Sequence, residues 1–148
     1  MPNTSGKMNL TWPVWALLSA VFAALTAILA KVGVAGVPSN LATAVRTVVV
    51  LVFAVGIVLA RGEAKHFSAF TTRTWLFLGL SGIATGLSWL CYFRALQLGP
   101  VSRVAPIDKL SFVIALVLGV LLLHEKLTWP LALGAVLIVA GVLLTLKG

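Results

Sequence analysis

The sequence predicts an all-α integral membrane protein, built as a bundle of five transmembrane helices. Composition gives the first reason: 61% of the 148 residues are hydrophobic and only 9% are charged, whereas soluble domains carry about 25% charged residues. The second reason is the succession of five apolar windows, each close to the roughly 20 residues that a helix needs to cross a bilayer. The third is the short connections between the windows, which contain turn-forming residues.

The five spans follow an N-terminal tail of residues 1–11, so the transmembrane domain covers residues 12–148. A cleaved signal peptide is the less favoured interpretation of the first span, because the window is too long for a typical signal and four more spans follow. Ser39 is predicted to be the N-cap of the second helix. The predicted spans are Trp12–Val34, Leu41–Ala60, Thr74–Phe93, approximately Val104–Leu123, and Leu127–Leu146.

The phrase LTWP occurs twice, at Leu10–Pro13 and at Leu127–Pro130. The residues that follow the two phrases differ, so the sequence supports a duplication poorly. Each phrase instead places Pro in the first turn of a span, where its missing N–H costs little, and Trp at the depth of the lipid interface. Trp75 begins the third span in the same way. With five crossings these three starts share one membrane face, here called side A; the opposite face is side B.

The eleven Lys and Arg residues divide almost evenly between the two faces. The positive-inside rule depends on asymmetry in these residues, and the sequence provides almost none. A dual topology and a fixed orientation with side A inside therefore both remain open. Side A receives Lys7, Arg61, Lys65, Arg73 and Lys126, and side B receives Lys31, Arg46, Arg94, Arg103, Lys109 and Lys147.

Several classes of function find no support in the sequence. Eleven basic residues against three acidic ones would suggest nucleic acid in a soluble protein, but here the charges are scattered between apolar runs rather than grouped in a patch. Cys91 stands alone, so the sequence predicts neither a disulfide nor a metal site. No nucleophile motif or phosphate-binding glycine loop occurs. We therefore expect no enzymatic activity, no cofactor and no nucleic-acid partner.

Small and polar residues recur at helical spacing within the spans, as is typical of helix contacts or of a polar cavity in lipid. The third span aligns Ser81, Thr85, Ser88 and Tyr92 on one face, which is either a packing face or the lining of a cavity. The first span places Trp15 and Ser19 on one face and Ala16, Ala20, Ala23 and Ala27 on a neighbouring face, where packing is predicted. The fourth span aligns Asp108 with Ser111, and Gly134 and Gly141 on the fifth suit a contact with a second subunit.

Charged residues inside the spans are the most informative. A charge at the bilayer centre costs about 2.5–3.5 kcal/mol, so such groups usually pair or line water. Arg46 is expected about 9 Å into its helix, where it either reaches side B or meets Asp108. Asp108 has three possible roles: a structural pair with Arg46, a structural pair with Arg94, or a substrate or proton site. Lys109 is expected to project about 100° away from Asp108.

Pro106 precedes Asp108 and weakens the helix there. Interrupted helices near ionisable residues are a pointer to the binding sites of transporters. The fourth span is therefore the one most strongly associated with a functional site.

Much of the chain beyond the tail resembles an EamA-type domain of the drug/metabolite transporter superfamily. Its opening helices are similar to AALTAILAKVGVAGVPSNLATAVRTVVV (Ala23–Val50). Its later helices resemble YFRALQLGPVSRVAPIDKLSFVIALVLGVLLLHEKLT (Tyr92–Thr128), and its closing helix resembles LALGAVLIVAGVLLTL (Leu131–Leu146). Many members carry two such five-helix halves in inverted orientation, and alternating access needs both. The resemblance therefore implies a homodimer, which could be antiparallel, or a pair with another half-size subunit.

The resemblance implies a secondary carrier that moves a small metabolite or drug-like solute across the bacterial inner membrane as a multi-pass protein. The alternatives are a flippase subunit for a lipid-linked sugar and a non-transporting accessory protein. We predict a cavity between the first, third and fourth spans. The predicted substrate-binding residues are Trp15, Ser19, Ser81, Thr85, Ser88, Trp89, Tyr92, Asp108 and Ser111. The predicted charge-pairing or gating residues are Lys31, Arg46, Arg94, Asp108 and Lys109.

Overall fold

The computed structural model describes residues 11–147 and is all-helical over that range. Residues 1–10 of the N-terminal tail, which include Lys7, lie outside the described residues, as does Gly148. Six α-helices follow one another, and α4 and α5 together form the fourth span. Their bounds are α1 Thr11–Gly33, α2 Ser39–Ala60, α3 Thr72–Leu98, α4 Val101–Asp108, α5 Leu110–Leu123 and α6 Trp129–Lys147. A short 3-10 helix, Glu63–Ala69, lies in the connection between α2 and α3.

The predicted number of membrane spans is confirmed, because the described residues contain five helical segments long and apolar enough to cross a bilayer. The second, third and fourth segments are longer than predicted, most clearly Thr72–Leu98, whereas the first ends at Gly33 and the fifth begins only at Trp129. At about 1.5 Å per residue that helix is about 40 Å long, which exceeds the hydrocarbon thickness of about 30 Å. Its ends therefore reach the polar layers of the membrane or the helix is tilted.

The helix ends correct one detail of the sequence interpretation. Pro38, with extended backbone, is the N-cap of α2, and Ser39 is the first helical residue. Ser39 offers its carbonyl oxygen to the hydroxyl of Thr43 at 2.9 Å instead of capping. Thr71 does cap α3, since its hydroxyl oxygen accepts a hydrogen bond from the Thr74 backbone N–H at 3.2 Å. The Pro at position 38 fixes the backbone angle that begins the helix.

Helix α3 is the centre of the bundle. Helix α2 packs on α3, α1 packs on α3 and α4, and α6 packs on α4 and α5. The buried core lies at the side B end, where Ala30, Val34, Phe93 and Leu96 contact one another. Most other large apolar side chains are exposed on the isolated chain. A surface so apolar requires lipid or another protein around it.

The tryptophans that begin the spans are exposed, in keeping with a position at the lipid interface. Trp12 is 71% exposed at the start of α1, and Trp129 is 78% exposed at the start of α6. Trp75, near the start of α3, contacts two aromatic side chains of the preceding connection, Phe67 and Phe70. The side A end of the α2–α3 hairpin thus carries an aromatic cluster.

Candidate functional site

A cavity of about 420 Å³ lies between α1, α3 and α4, and α2 contributes one side chain, Arg46. Counted along their helices from the side B ends, its polar residues lie about 9–15 Å deep. The deepest of them reach the middle of a bilayer whose hydrocarbon core is about 30 Å thick. The cavity is lined by Ala20, Ala23, Ala24, Thr26, Ala27, Arg46, Ser88, Trp89, Tyr92, Ala105, Asp108 and Lys109.

The break in the fourth span creates the acidic end of this cavity. Helix α4 ends at Asp108, and the Lys109 N–H bonds back to the Pro106 carbonyl at 3.0 Å. This is a tighter, 3-10-type turn, although Lys109 keeps backbone angles of the right-handed helical region. Lys109 Nζ lies 3.5 Å from Asp108 Oδ2. The charged ends of these two side chains therefore meet, although neighbouring positions of a helix project about 100° apart.

Arg46 lies against aromatic rings. Its guanidinium carbon is 4.2 Å from the centre of the Trp89 ring and 5.4 Å from that of Phe93. Neither predicted pair of Asp108 forms within residues 11–147: Asp108 pairs with Lys109, and Arg94 donates to the Gln97 side-chain oxygen at 3.1 Å. The attraction of a cation for an indole face is worth about 1–2 kcal/mol when it is partly desolvated. That attraction explains why Arg46 remains beside Trp89.

The charged residues that line the cavity carry one net positive charge. Asp108 and Lys109 neutralise each other at 3.5 Å, which leaves the positive charge of Arg46 without an acidic partner among the described residues. A guanidinium presents five N–H donors in a planar fork that fits carboxylate or phosphate. Trp89 and Tyr92 add aromatic surface, and Ser88 adds a hydroxyl. The cavity thus combines one unpaired cation, hydrogen-bonding groups and apolar walls within the membrane-spanning part of the chain.

Five predicted substrate-binding residues lie elsewhere: Trp15, Ser19, Ser81, Thr85 and Ser111 are exposed and do not line this cavity. Within α3 the only buried side chains, Phe93 and Leu96, belong to the side B half. Ser81 and Thr85 lie beyond that half, and the Thr85 hydroxyl donates to its own helix at the Ser81 carbonyl, 2.9 Å away. The face that carries these hydroxyls therefore lines the cavity in the side B half of α3 and belongs to the outer surface of the chain in the other half.

The alanine face of α1 is the part of the cavity wall that sequence reasoning missed. Ala20, Ala23 and Ala27 line the cavity, although their spacing predicted a packing face. Small side chains serve both purposes, since they permit close approach of a helix and also leave space when none approaches. The sequence feature that could have indicated this role is the position of the alanine face next to the polar residues Ser19 and Thr26.

Below the cavity, the side B ends of α1 and α3 cap each other. The Lys31 ammonium donates to the Leu96 carbonyl at 2.5 Å and to the Gly99 carbonyl at 2.9 Å. In return, the Gln97 side-chain amide donates to the carbonyls of Val34 and Val37 in the α1–α2 connection. Carbonyls at a helix end lack partners within the helix and favour a nearby cation. This reciprocal cap holds the bundle together under the cavity, and the sequence did not predict the part of Gln97 in it.

The two glycines predicted for subunit packing lie on α6. A side-chain carbon added at Gly134 or Gly141 would meet no other atom within 4 Å. The isolated chain thus leaves room beside both positions.

Five membrane-spanning helices, an interrupted fourth span and a charged cavity at mid-depth are features of membrane transporters. The comparison with known proteins is consistent with that class. Residues 10–147 match the EamA-like transporter family. The chain belongs to this family and is a multi-pass membrane transporter.

Two curated relatives show how far the likeness extends. A protein of Sinorhizobium sp. described as an "Uncharacterized transporter in cobO 3'region" is 57% identical over 137 residues, which is 93% of this chain and 97% of the relative. A protein of Erwinia tasmaniensis described as a probable 4-amino-4-deoxy-L-arabinose-phosphoundecaprenol flippase subunit, ArnF, is 42% identical over 71 residues. That match covers 47% of this chain and 54% of the relative. No solved structure matches the chain.

Proposed function

We propose that this protein is a secondary carrier of the bacterial inner membrane that moves a small organic anion, and that it works as a dimer. The cavity beside Arg46 would be the solute site. The observation that supports this assignment best is a guanidinium about 10 Å inside its span, flanked by Trp89 and unpaired with any acidic group among the described residues. An uncompensated charge at that depth is costly, and a bound anion or water would offset the cost.

The dimer supplies what one five-helix subunit lacks. Alternating access in such folds depends on two halves moving around a site between them. The exposed apolar faces of this chain and the open space beside Gly134 and Gly141 leave room for a second subunit. That subunit is either a second copy, which could be antiparallel, or another half-size subunit. The reciprocal cap of Lys31 and Gln97 would keep the side B end closed while the cavity is loaded, and its opening would release the solute.

The proposed solute site is tested on purified protein. A thermal-shift screen against amino acids, nucleosides, sugars, sugar phosphates and drug cations would identify binders, and uptake into proteoliposomes would follow for each one. We expect stabilisation by anions, a loss of at least tenfold in affinity for Arg46→Gln, and little change for Arg103→Gln. Arg103 is the matched control, because it is exposed on α4 and does not line the cavity. Equal losses in both variants would contradict the assignment.

Proton coupling through Asp108 is a separate part of the proposal. Asp108→Asn removes the titratable group but keeps the shape of the side chain. Uptake that responds to pH in the wild type and no longer responds in the variant would support coupling. Unchanged pH-dependent uptake in Asp108→Asn proteoliposomes would exclude it.

The second candidate function is a flippase subunit for a lipid-linked sugar, and the observation in its favour is the similarity to the protein described as an ArnF subunit. Such a subunit would transport amphiphiles only and would not accumulate water-soluble solutes in proteoliposomes. Uptake of a water-soluble anion that depends on Arg46 would decide for the carrier.

A further inference from the structure

A second cavity, of about 480 Å³, adjoins the first and differs from it in character. It is a groove between α1 and α2, with the buried ring of Phe93 from α3 beneath it. Apart from Thr26 and Arg46, every residue that lines it is apolar. The residues of this groove, here called the α1–α2 groove, are Thr26, Leu29, Ala30, Gly33, Val37, Leu41, Ala42, Val45, Arg46 and Phe93.

The sequence explains why this groove stays open. Helices α1 and α2 each pack on α3 and make little contact with each other within the described residues. Small residues occupy the facing positions, namely Ala30 and Gly33 on α1 and Ala42 on α2. A side-chain carbon added at Gly33 would meet nothing within 4 Å. The gap is thus lined by the larger side chains Leu29, Leu41 and Val45 at its rim, which are more than half exposed.

The two cavities meet at Thr26 and Arg46, which line both. From that junction the polar cavity extends along α1 toward Ala20, deeper in the membrane. The α1–α2 groove extends the other way, toward Gly33 and side B, over about 10 Å. The guanidinium of Arg46 makes no ion pair with a described residue and faces the place where the two spaces join. A single guest could therefore put a charged group at Arg46 and an apolar group in the groove.

We propose that the α1–α2 groove is a second subsite, which binds the apolar chain or ring of the substrate while Arg46 binds its anionic group. The substrate is thus an amphiphilic anion, such as an alkyl phosphate or alkyl carboxylate. This inference rests on the proposed function of the polar cavity. A water-soluble amphiphile and a membrane lipid share this chemistry, and chain length distinguishes them.

The probes are inorganic phosphate and butyl, hexyl, octyl and dodecyl phosphate, each titrated against the full-length protein in nanodiscs. Burial of one methylene is worth about 0.8 kcal/mol, or about fourfold in affinity. We expect affinity to rise by up to that factor per methylene until the groove is filled. A plateau at octyl phosphate would indicate a soluble amphiphile that ends within the groove. A continued rise to dodecyl phosphate would indicate a lipid whose chain extends into the bilayer.

Groove-filling variants separate binding in the groove from partition into the nanodisc lipid. Ala42→Trp fills the floor, and its matched control is Ala44→Trp, which lies about 200° around the same helix on an exposed face. Ala42 contacts the core, so Val45→Trp serves as a second filling variant at a rim position that is 59% exposed. We expect both filling variants to flatten the dependence on chain length, and Ala44→Trp to keep it.

A photoreactive probe locates the chain directly. Octyl phosphate with a diazirine at the end of its chain should label groove residues such as Leu29, Leu41 and Val45, and unlabelled octyl phosphate should compete with it. Labels spread over the outer faces, or a chain-length dependence unchanged in both filling variants, would overturn the second subsite. Inorganic phosphate bound as tightly as octyl phosphate, with Arg46→Gln still defective, would overturn it and leave the proposed carrier function intact. Failure of every phosphate to bind, together with failure of every anion in the thermal-shift screen, would overturn both.

Discussion

Replacement of Lys31 by Met should destabilise the bundle by about 2–3 kcal/mol. The ammonium donates two hydrogen bonds, to the carbonyls of Leu96 and Gly99, and a bond to a charged group is worth about 1.5–3 kcal/mol. Two such bonds, each at the lower value, would contribute about 3 kcal/mol to the free energy of unfolding. In the Met variant, water at the side B interface can bond the two carbonyls instead, and this lowers the expected loss to about 2–3 kcal/mol. Met keeps the length of the apolar stem, so packing is largely retained. The loss therefore measures the cap of α3.

The measurement is equilibrium unfolding from mixed micelles with increasing sodium dodecyl sulfate, followed by the fluorescence of the five tryptophans. Lys126→Met is the control, because Lys126 is an exposed residue of the α5–α6 connection whose side chain makes no described hydrogen bond. Gln97→Leu should also destabilise, and the double variant should lose less than the sum, since both residues hold the same two helix ends. Equal stability of Lys31→Met and Lys126→Met would refute the cap.

Three further predictions concern helix ends and glycines. Thr71→Ala should cost about 1 kcal/mol in the same unfolding assay, because it removes the N-cap of α3, and Thr71→Ser should restore most of the loss. Gly119→Ala should change stability by less than about 1 kcal/mol: the added carbon comes 3.0 Å from the mobile carboxylate end of Glu125, and the better helix propensity of Ala offsets the shift. Gly141→Leu should weaken dimerisation on the order of tenfold, or about 1.4 kcal/mol, as measured by native mass spectrometry from nanodiscs. An unchanged dimer would show that α6 is not part of the proposed interface.

The fold was largely predictable because bilayer insertion depends on local composition. Each span had to contain about 20 apolar residues, and all five windows appear as helices within the described residues. Helix ends were less predictable, as the cap at Pro38 shows. Several neighbouring residues can begin a helix, and the choice among them depends on how the connection packs.

The site was predictable in part. Six of the predicted residues line one cavity: Arg46, Ser88, Trp89, Tyr92, Asp108 and Lys109. Helical spacing had placed the residues of α3 on one face, and their charge had singled out the other three. Sequence spacing could not indicate how far along a face the cavity extends, and so Ser81 and Thr85 were included. Among the described residues Asp108 pairs with Lys109 and with neither arginine that the sequence analysis considered, because the spacing along a helix does not indicate how a long side chain bends.

The sequence by itself determined that this chain is a membrane protein with five spans, since lipid requires every span to be an apolar helix that satisfies its own backbone. It also determined which charged residues lie within the membrane-spanning segments. Only the tertiary structure decided that α1 and α2 stand apart over Phe93 and that Arg46 lies between a polar and an apolar space. Contacts between helices depend on side chains that are distant in the sequence. A local sequence pattern therefore does not indicate that a groove remains between α1 and α2.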